Sequence, residues 1–101
     1  MASLVDKTLD LLLETVIETG PGGLIPPQDK LATQFDVSRT VLREALSKLL
    51  MLGVITVRPK VGTTVNDTSK WKVVNDDVIA WRLRAGESRE VVLADIERAK
   101  V

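Results

Sequence analysis

From Leu4 to Ile17 the apolar residues fall at Leu4, Val5, Leu9, Leu12, Leu13, Val16 and Ile17, with Asp6, Lys7, Asp10, Glu14 and Glu18 between them. That spacing repeats with the period of a helix and predicts one amphipathic segment. Ser3 is placed to cap its start, and Gly20-Pro21-Gly22-Gly23 ends it, because glycine supplies positive φ and proline cannot continue the hydrogen-bond ladder. A second, short helix begins at Pro27, puts Leu31, Ala32 and Phe35 on one face and stops by Phe35 or Asp36. A third runs from Ser38, an N-cap residue, through Val41, Leu42, Ala45, Leu46, Leu49 and Leu50 to Leu52, with Gly53 in the position after the C-cap.

The period then changes. Val54 to Val57 and Thr63 to Val65 are short β-type runs, and Arg58-Pro59-Lys60-Val61-Gly62 between them predicts a hairpin with a five-residue tip. Beyond Asn66 helical spacing returns at Val73, Val74, Val78, Ile79, Trp81 and Leu83. Gly86-Glu87-Ser88 forms a break, and Val91 to Val101 is a further helical segment. No internal repeat and no low-complexity stretch is evident. The predicted fold is mainly α with a small β-hairpin: a winged helix-turn-helix of three helices and a two-stranded wing in residues 1–66, followed by a linker helix in 67–101.

Composition narrows the chemistry. Among 101 residues there is neither cysteine nor histidine, so thiol nucleophiles, thiolate clusters and imidazole ligands or bases are all excluded. The carboxylates and serines form no nucleophile-base arrangement, so no catalytic residue, cofactor or metal is expected. No apolar run approaches membrane-spanning length, and the N-terminus carries no secretory signal, which makes the cytoplasm the expected compartment.

Fourteen basic and fourteen acidic residues cancel, which by itself does not favour a nucleic-acid partner. The distribution does. Residues 1–27 carry one basic and four acidic groups, residues 28–65 six and three, and residues 66–101 seven of each. The positive excess therefore falls on the predicted helix-turn-helix and wing. Within it, Ser38, Arg39, Thr40 and Arg43 gather at the N-terminal end of the third helix, opposite its apolar stripe, where a recognition helix enters the major groove. An arginine fork can donate twice to guanine O6 and N7, while hydroxyls and helix-start amides suit phosphate oxygens. Glu44 either orients a neighbouring arginine or is simply solvated. Arg58 and Lys60 lie on the hairpin. Leu42, Leu46 and Leu49 are expected in the core, and Trp71 and Trp81 are expected to pack rather than to stack on bases.

The stretch Pro21 to Val65 resembles the N-terminal DNA-binding domain of the GntR family of bacterial transcription regulators. The resemblance is carried by V-S-R-T-V-L-R-E-A-L-x-x-L at Val37 to Leu49, Gly53, and G-T-T-V at Gly62 to Val65. N-D-D-V-I-A-W-R-L at Asn75 to Leu83 looks like the linker helix of the FadR-like subfamily. The resemblance implies a sequence-specific DNA-binding regulator, acting as a repressor, that binds palindromic half-sites of double-stranded operator DNA as a homodimer. It also implies operator contacts by Ser38, Arg39, Thr40 and Arg43 in the major groove and by Arg58, Lys60 and Gly62 of the wing near the minor groove.

Three departures from the family pattern stand out. Pro26-Pro27-Gln28-Asp29 replaces the usual Pro-Ser-Glu-Arg, so a usually basic DNA-facing position is acidic, and Asp29 on its own repels phosphate. Lys60 and Val61 replace the usual glycine and basic residue of the wing tip, with Lys60 able to restore the positive charge. The chain stops at Val101, about one helix into the expected effector domain, so an effector metabolite is not expected to bind these residues. The alternative is a winged-helix protein-interaction module, or a truncated paralogue that pairs with a full-length regulator.

Overall fold

A computed structural model describes residues 3–73 and 76–99. The element order is α1 (Leu4–Thr19), α2 (Gln28–Phe35), α3 (Arg39–Met51), β1 (Ile55–Arg58), β2 (Gly62–Val65), a 3-10 turn (Thr68–Lys70), α4 (Asp76–Arg84) and α5 (Arg89–Ala99). This is the predicted winged helix-turn-helix order. The predicted positions Val74 and Asn75 of the linker segment, and the end of the last segment at Lys100 and Val101, lie outside the described residues.

α1 starts where its cap chemistry dictates. Ser3 Oγ accepts from the Asp6 amide and the Asp6 carboxylate accepts from the Ser3 amide, satisfying two donors that the helix itself leaves free. Its buried face is Leu9, Leu12, Leu13 and Val16, joined by Thr8, whose buried hydroxyl donates to the Leu4 carbonyl at 2.8 Å. These residues share one core with Leu31 and Ala32 of α2 and Leu42, Ala45, Leu46 and Leu49 of α3. Leu42 and Leu49 are fully buried, so truncating either to alanine is expected to cost about 3 kcal/mol.

α3 ends on a Schellman motif: the Val54 amide donates to the Leu49 carbonyl and the Gly53 amide to the Leu50 carbonyl. Gly53 has φ +76°, and a Cβ there would lie 2.5 Å from the Lys70 carbonyl oxygen. No other residue fits without moving backbone, which accounts for the glycine at that point. The chain reverses there and enters the wing.

β1 and β2 pair antiparallel, with Ile55 opposite Val65 and Arg58 opposite Gly62. The strands extend one residue further into the hairpin than the apolar pattern predicts, so the tip is Pro59-Lys60-Val61 and not five residues. The reason is local: Lys60 takes a left-handed conformation, φ 66°, and the Val61 amide donates back to the Arg58 carbonyl. That tight turn lets Arg58 and Gly62 pair. The loop before α2 also bonds to β2, with Leu24 bridging Thr64 and the Ile25 amide donating to the Thr63 carbonyl. The wing is thereby tied to the helix-turn-helix on its outer edge.

Asn66 closes the inner end. Its side chain accepts from Thr56 Oγ1 and donates to the Gly53 carbonyl, both at 2.9 Å, and its carbonyl accepts from the Trp71 indole. Trp71 and Trp81 are both buried in the main core, where stacking on bases is impossible.

Candidate nucleic-acid interface

The turn between α2 and α3 is built by capping at both ends. Asp36 is left-handed (φ 54°, ψ 50°), the Val37 amide donates to the Ala32 carbonyl and the Asp36 amide to the Thr33 carbonyl. Two residues later Ser38 Oγ accepts from the Val41 amide at 3.1 Å and starts α3. The serine oxygen is thus engaged as a cap, and its O–H stays available to donate outward. Val37 is half-buried against the core and anchors the turn.

Arg39, Thr40 and Arg43 are exposed on the first turns of α3, while Leu42, Ala45, Leu46 and Leu49 face inward. The predicted division of this helix into a polar edge and a buried stripe is therefore present. Arg43 lines the groove between α3 and the wing, along with Gln28, Ser47, Val57 and Thr63, and it forms no ion pair among the described residues. Arg58 is exposed on β1, with its Nε donating to Thr64 Oγ1 at 3.2 Å. Lys60 sits at the exposed tip, and Gly62, φ +122°, begins β2 where a Cβ would meet Leu24 at 3.4 Å. α3 and the wing together present Ser38, Arg39, Thr40, Arg43, Arg58, Lys60 and Gly62 to solvent.

One contact was not legible from spacing. Arg39 Nη2 lies 2.9 Å from Asp29 Oδ1, with the two side chains 67% and 74% exposed. The acid that pairs with an α3 arginine is thus on α2, and Glu44 forms no ion pair among the described residues. The signal in the sequence was Asp29 itself, an acid in the first turn of one helix in a motif whose next helix opens on arginine.

No group of three or more potential metal-ligating side chains occurs among the described residues. No described helix is long and apolar enough to cross a membrane.

The chain resembles known proteins across the same region. It is 32% identical over 89 residues to the uncharacterized HTH-type transcriptional regulator YieP of Escherichia coli, covering 88% of this chain and 38% of that protein. It is 42% identical over 60 residues to the Uxu operon transcriptional regulator of the same organism, covering 59% of this chain and 23% of that protein. The chain therefore spans well under half the length of either relative. Among solved structures, Streptococcus agalactiae GntR superposes with a TM-score of 0.59 at 30% identity, covering 79% of this chain and 38% of that one. The sequence profile described as bacterial regulatory proteins, gntR family, matches residues 4–65, more than half of the chain, and the protein belongs to that family.

Proposed function

We propose that this chain is the DNA-reading part of a sequence-specific transcription regulator of the FadR-like subfamily. The observation that carries the reading is the exposed set Arg39, Thr40 and Arg43 on the first turns of a helix held by a capped helix-turn-helix corner. The N-terminal half of such a helix enters the major groove, where Arg39 and Arg43 can each donate to guanine O6 and N7. Ser38 and Thr40 donate to phosphate, and Arg58, Lys60 and Gly62 bring the wing tip to the minor groove. The relatives, both transcriptional regulators, support regulation over any enzymatic role.

Residues 1–66 then form the DNA-binding unit, and residues 67–101 hold a linker helix, α4, and the first helix of an effector-binding part, α5. The N-D-D-V-I-A-W-R-L stretch, most of which forms α4, is the support for the FadR-like assignment. The protein acts in the cytoplasm as a repressor, and two copies bind the half-sites of a palindromic operator.

Selection of bound sequences from a random duplex pool tests this reading. A recovered two-fold motif, with affinity falling steeply between low and moderate salt as several phosphates are neutralised, is the expected result. Recovery of no motif, or salt-insensitive binding, would overturn it in favour of a protein-interaction module.

A further inference from the structure

We infer that Asp29 is a specificity-determining residue: by holding the Arg39 guanidinium it directs that arginine to a base edge and away from the phosphate backbone. The inference rests on the DNA-reading function proposed above and adds to it a residue on the preceding helix.

The ion pair has no adequate role in the fold. Both side chains are about two-thirds or more exposed, and pairs of that kind contribute little to stability because water screens them and two long side chains lose freedom. Its geometry does have a consequence for recognition. Arg39 is the first residue of α3, where the positive end of the helix dipole disfavours a cation, and Asp29 lies in the first turn of α2, where an anion is favoured. The acid is therefore in a comfortable position and offsets the repulsion that the arginine meets at its own helix end.

Arginine has five donors, and Asp29 Oδ1 occupies only Nη2. The rest of the planar fork remains free for the two acceptors of guanine. A lone arginine at this place has a second option, a phosphate oxygen, which carries no sequence information. Pairing lowers the attraction to phosphate, because Asp29 offsets part of the guanidinium charge and is itself repelled by the backbone. It leaves the hydrogen-bonding directionality intact. The second oxygen of Asp29 adds an acceptor beside the fork, and carboxylates accept from the cytosine amino group in the major groove. The couple thus offers donors and an acceptor side by side, which suits a G·C edge.

The test uses the full chain and the duplex motif recovered by selection, with binding measured for every single-base variant across a salt series. Asp29→Ala is expected to lower discrimination at the base facing Arg39 by about tenfold, within the range for one lost bidentate contact. It is also expected to steepen the salt dependence by about one phosphate as the freed arginine moves to the backbone. Asp29→Glu is expected to restore part of the preference, and Asp29→Ala is expected to have no effect on base preference once Arg39→Ala is in place. Circular dichroism should be unchanged throughout, since both side chains are exposed. If Asp29→Ala tightens binding to all sequences equally and leaves the base preference unchanged, Asp29 is only an electrostatic brake and the inference is overturned. If the wild-type chain selects no motif at all, the DNA-reading function itself fails, a result separate from the first.

Discussion

At Asp36-Val37-Ser38, between α2 and α3, and again at Gly86-Glu87-Ser88, between α4 and α5, a helix ends on a left-handed residue and a serine caps the next one. The hydrogen bonds correspond one to one. Val37 donates to the Ala32 carbonyl as Glu87 does to that of Arg82, and Asp36 donates to Thr33 as Gly86 does to Leu83. Ser38 Oγ accepts from Val41 as Ser88 Oγ does from Val91. Even the residues that follow run in parallel, Ser38-Arg39-Thr40-Val41-Leu42 and Ser88-Arg89-Glu90-Val91-Val92, with Leu42 and Val92 buried.

The two corners part in how they treat an arginine. Arg39 follows the first corner, exposed, paired with Asp29 across water-accessible space. Arg82 precedes the second and is fully buried, its Nε donating to Glu87 and its Nη2 to Asp95 at 2.6 Å. Nη1 of Arg82 has no hydrogen-bond partner among the described residues. The same guanidinium-carboxylate chemistry is therefore buried between two helices at one corner and open to solvent at the other. Burial makes the difference: out of water a broken pair strands a charge, whereas in water its loss is nearly neutral.

The largest effect expected from breaking this contrast is Arg82→Ala. It leaves Glu87 without its counter-charge in a mostly covered site and Asp95 with only the exposed Arg98, and should lower the unfolding free energy by about 3 kcal/mol, read by urea denaturation. Arg39→Ala should leave the same curve within about 0.5 kcal/mol of wild type.

On DNA the order reverses. Arg39→Ala and Arg43→Ala should each weaken binding to the selected motif by about 1 to 3 kcal/mol, measured by fluorescence anisotropy. Normal binding by the double mutant would remove α3 as the reading helix.

The caps sharpen the comparison further. Gly86 has φ +99°, so Gly86→Ala should cost about 1 kcal/mol of stability. Asp36→Gly, at a left-handed position occupied by a residue with a Cβ, should be neutral or gain a few tenths. Paired thermal melts would show the opposite signs, and equal signs would break the analogy between the corners.

The smallest effect concerns acid. Hydrogen bonding from Arg82, and secondarily from Thr68, holds the Glu87 carboxyl below its ordinary value of 4.5. A carboxyl whose folded pKa is depressed adds stability that is fully present above that ordinary value and is lost as pH falls through the lower folded one. Glu87→Gln should therefore flatten the acid arm of the stability curve below about pH 4.5. Denaturation midpoints of Glu87→Gln and wild type at pH 3 to 6 would check this.

Local rules written in the chain determined a large share of the outcome. Ser3 and Ser38 are the caps that the spacing assigned, Gly53 lacks the Cβ that would collide with the Lys70 carbonyl, and the stripe Leu42, Leu46, Leu49 is the buried face of α3. The hairpin was shifted because the left-handed Lys60 gives a tighter turn than a pattern of apolar residues can reveal. The short turn at Thr68–Lys70 has no periodic signature, being made by the Asp67 side chain accepting from the Ser69 amide.

What only the tertiary structure decided is the partnership of charges. In the sequence Asp29 is an isolated acid in the first turn of a helix and Arg82 is one more basic residue on another. Their meanings depend on which helix start lies beside which, and on how much water remains between them. Capping and periodicity act over a few residues and can be read along the chain. Ion pairs between elements, and the burial that sets their strength, exist only once α2 has met α3 and α4 has met α5.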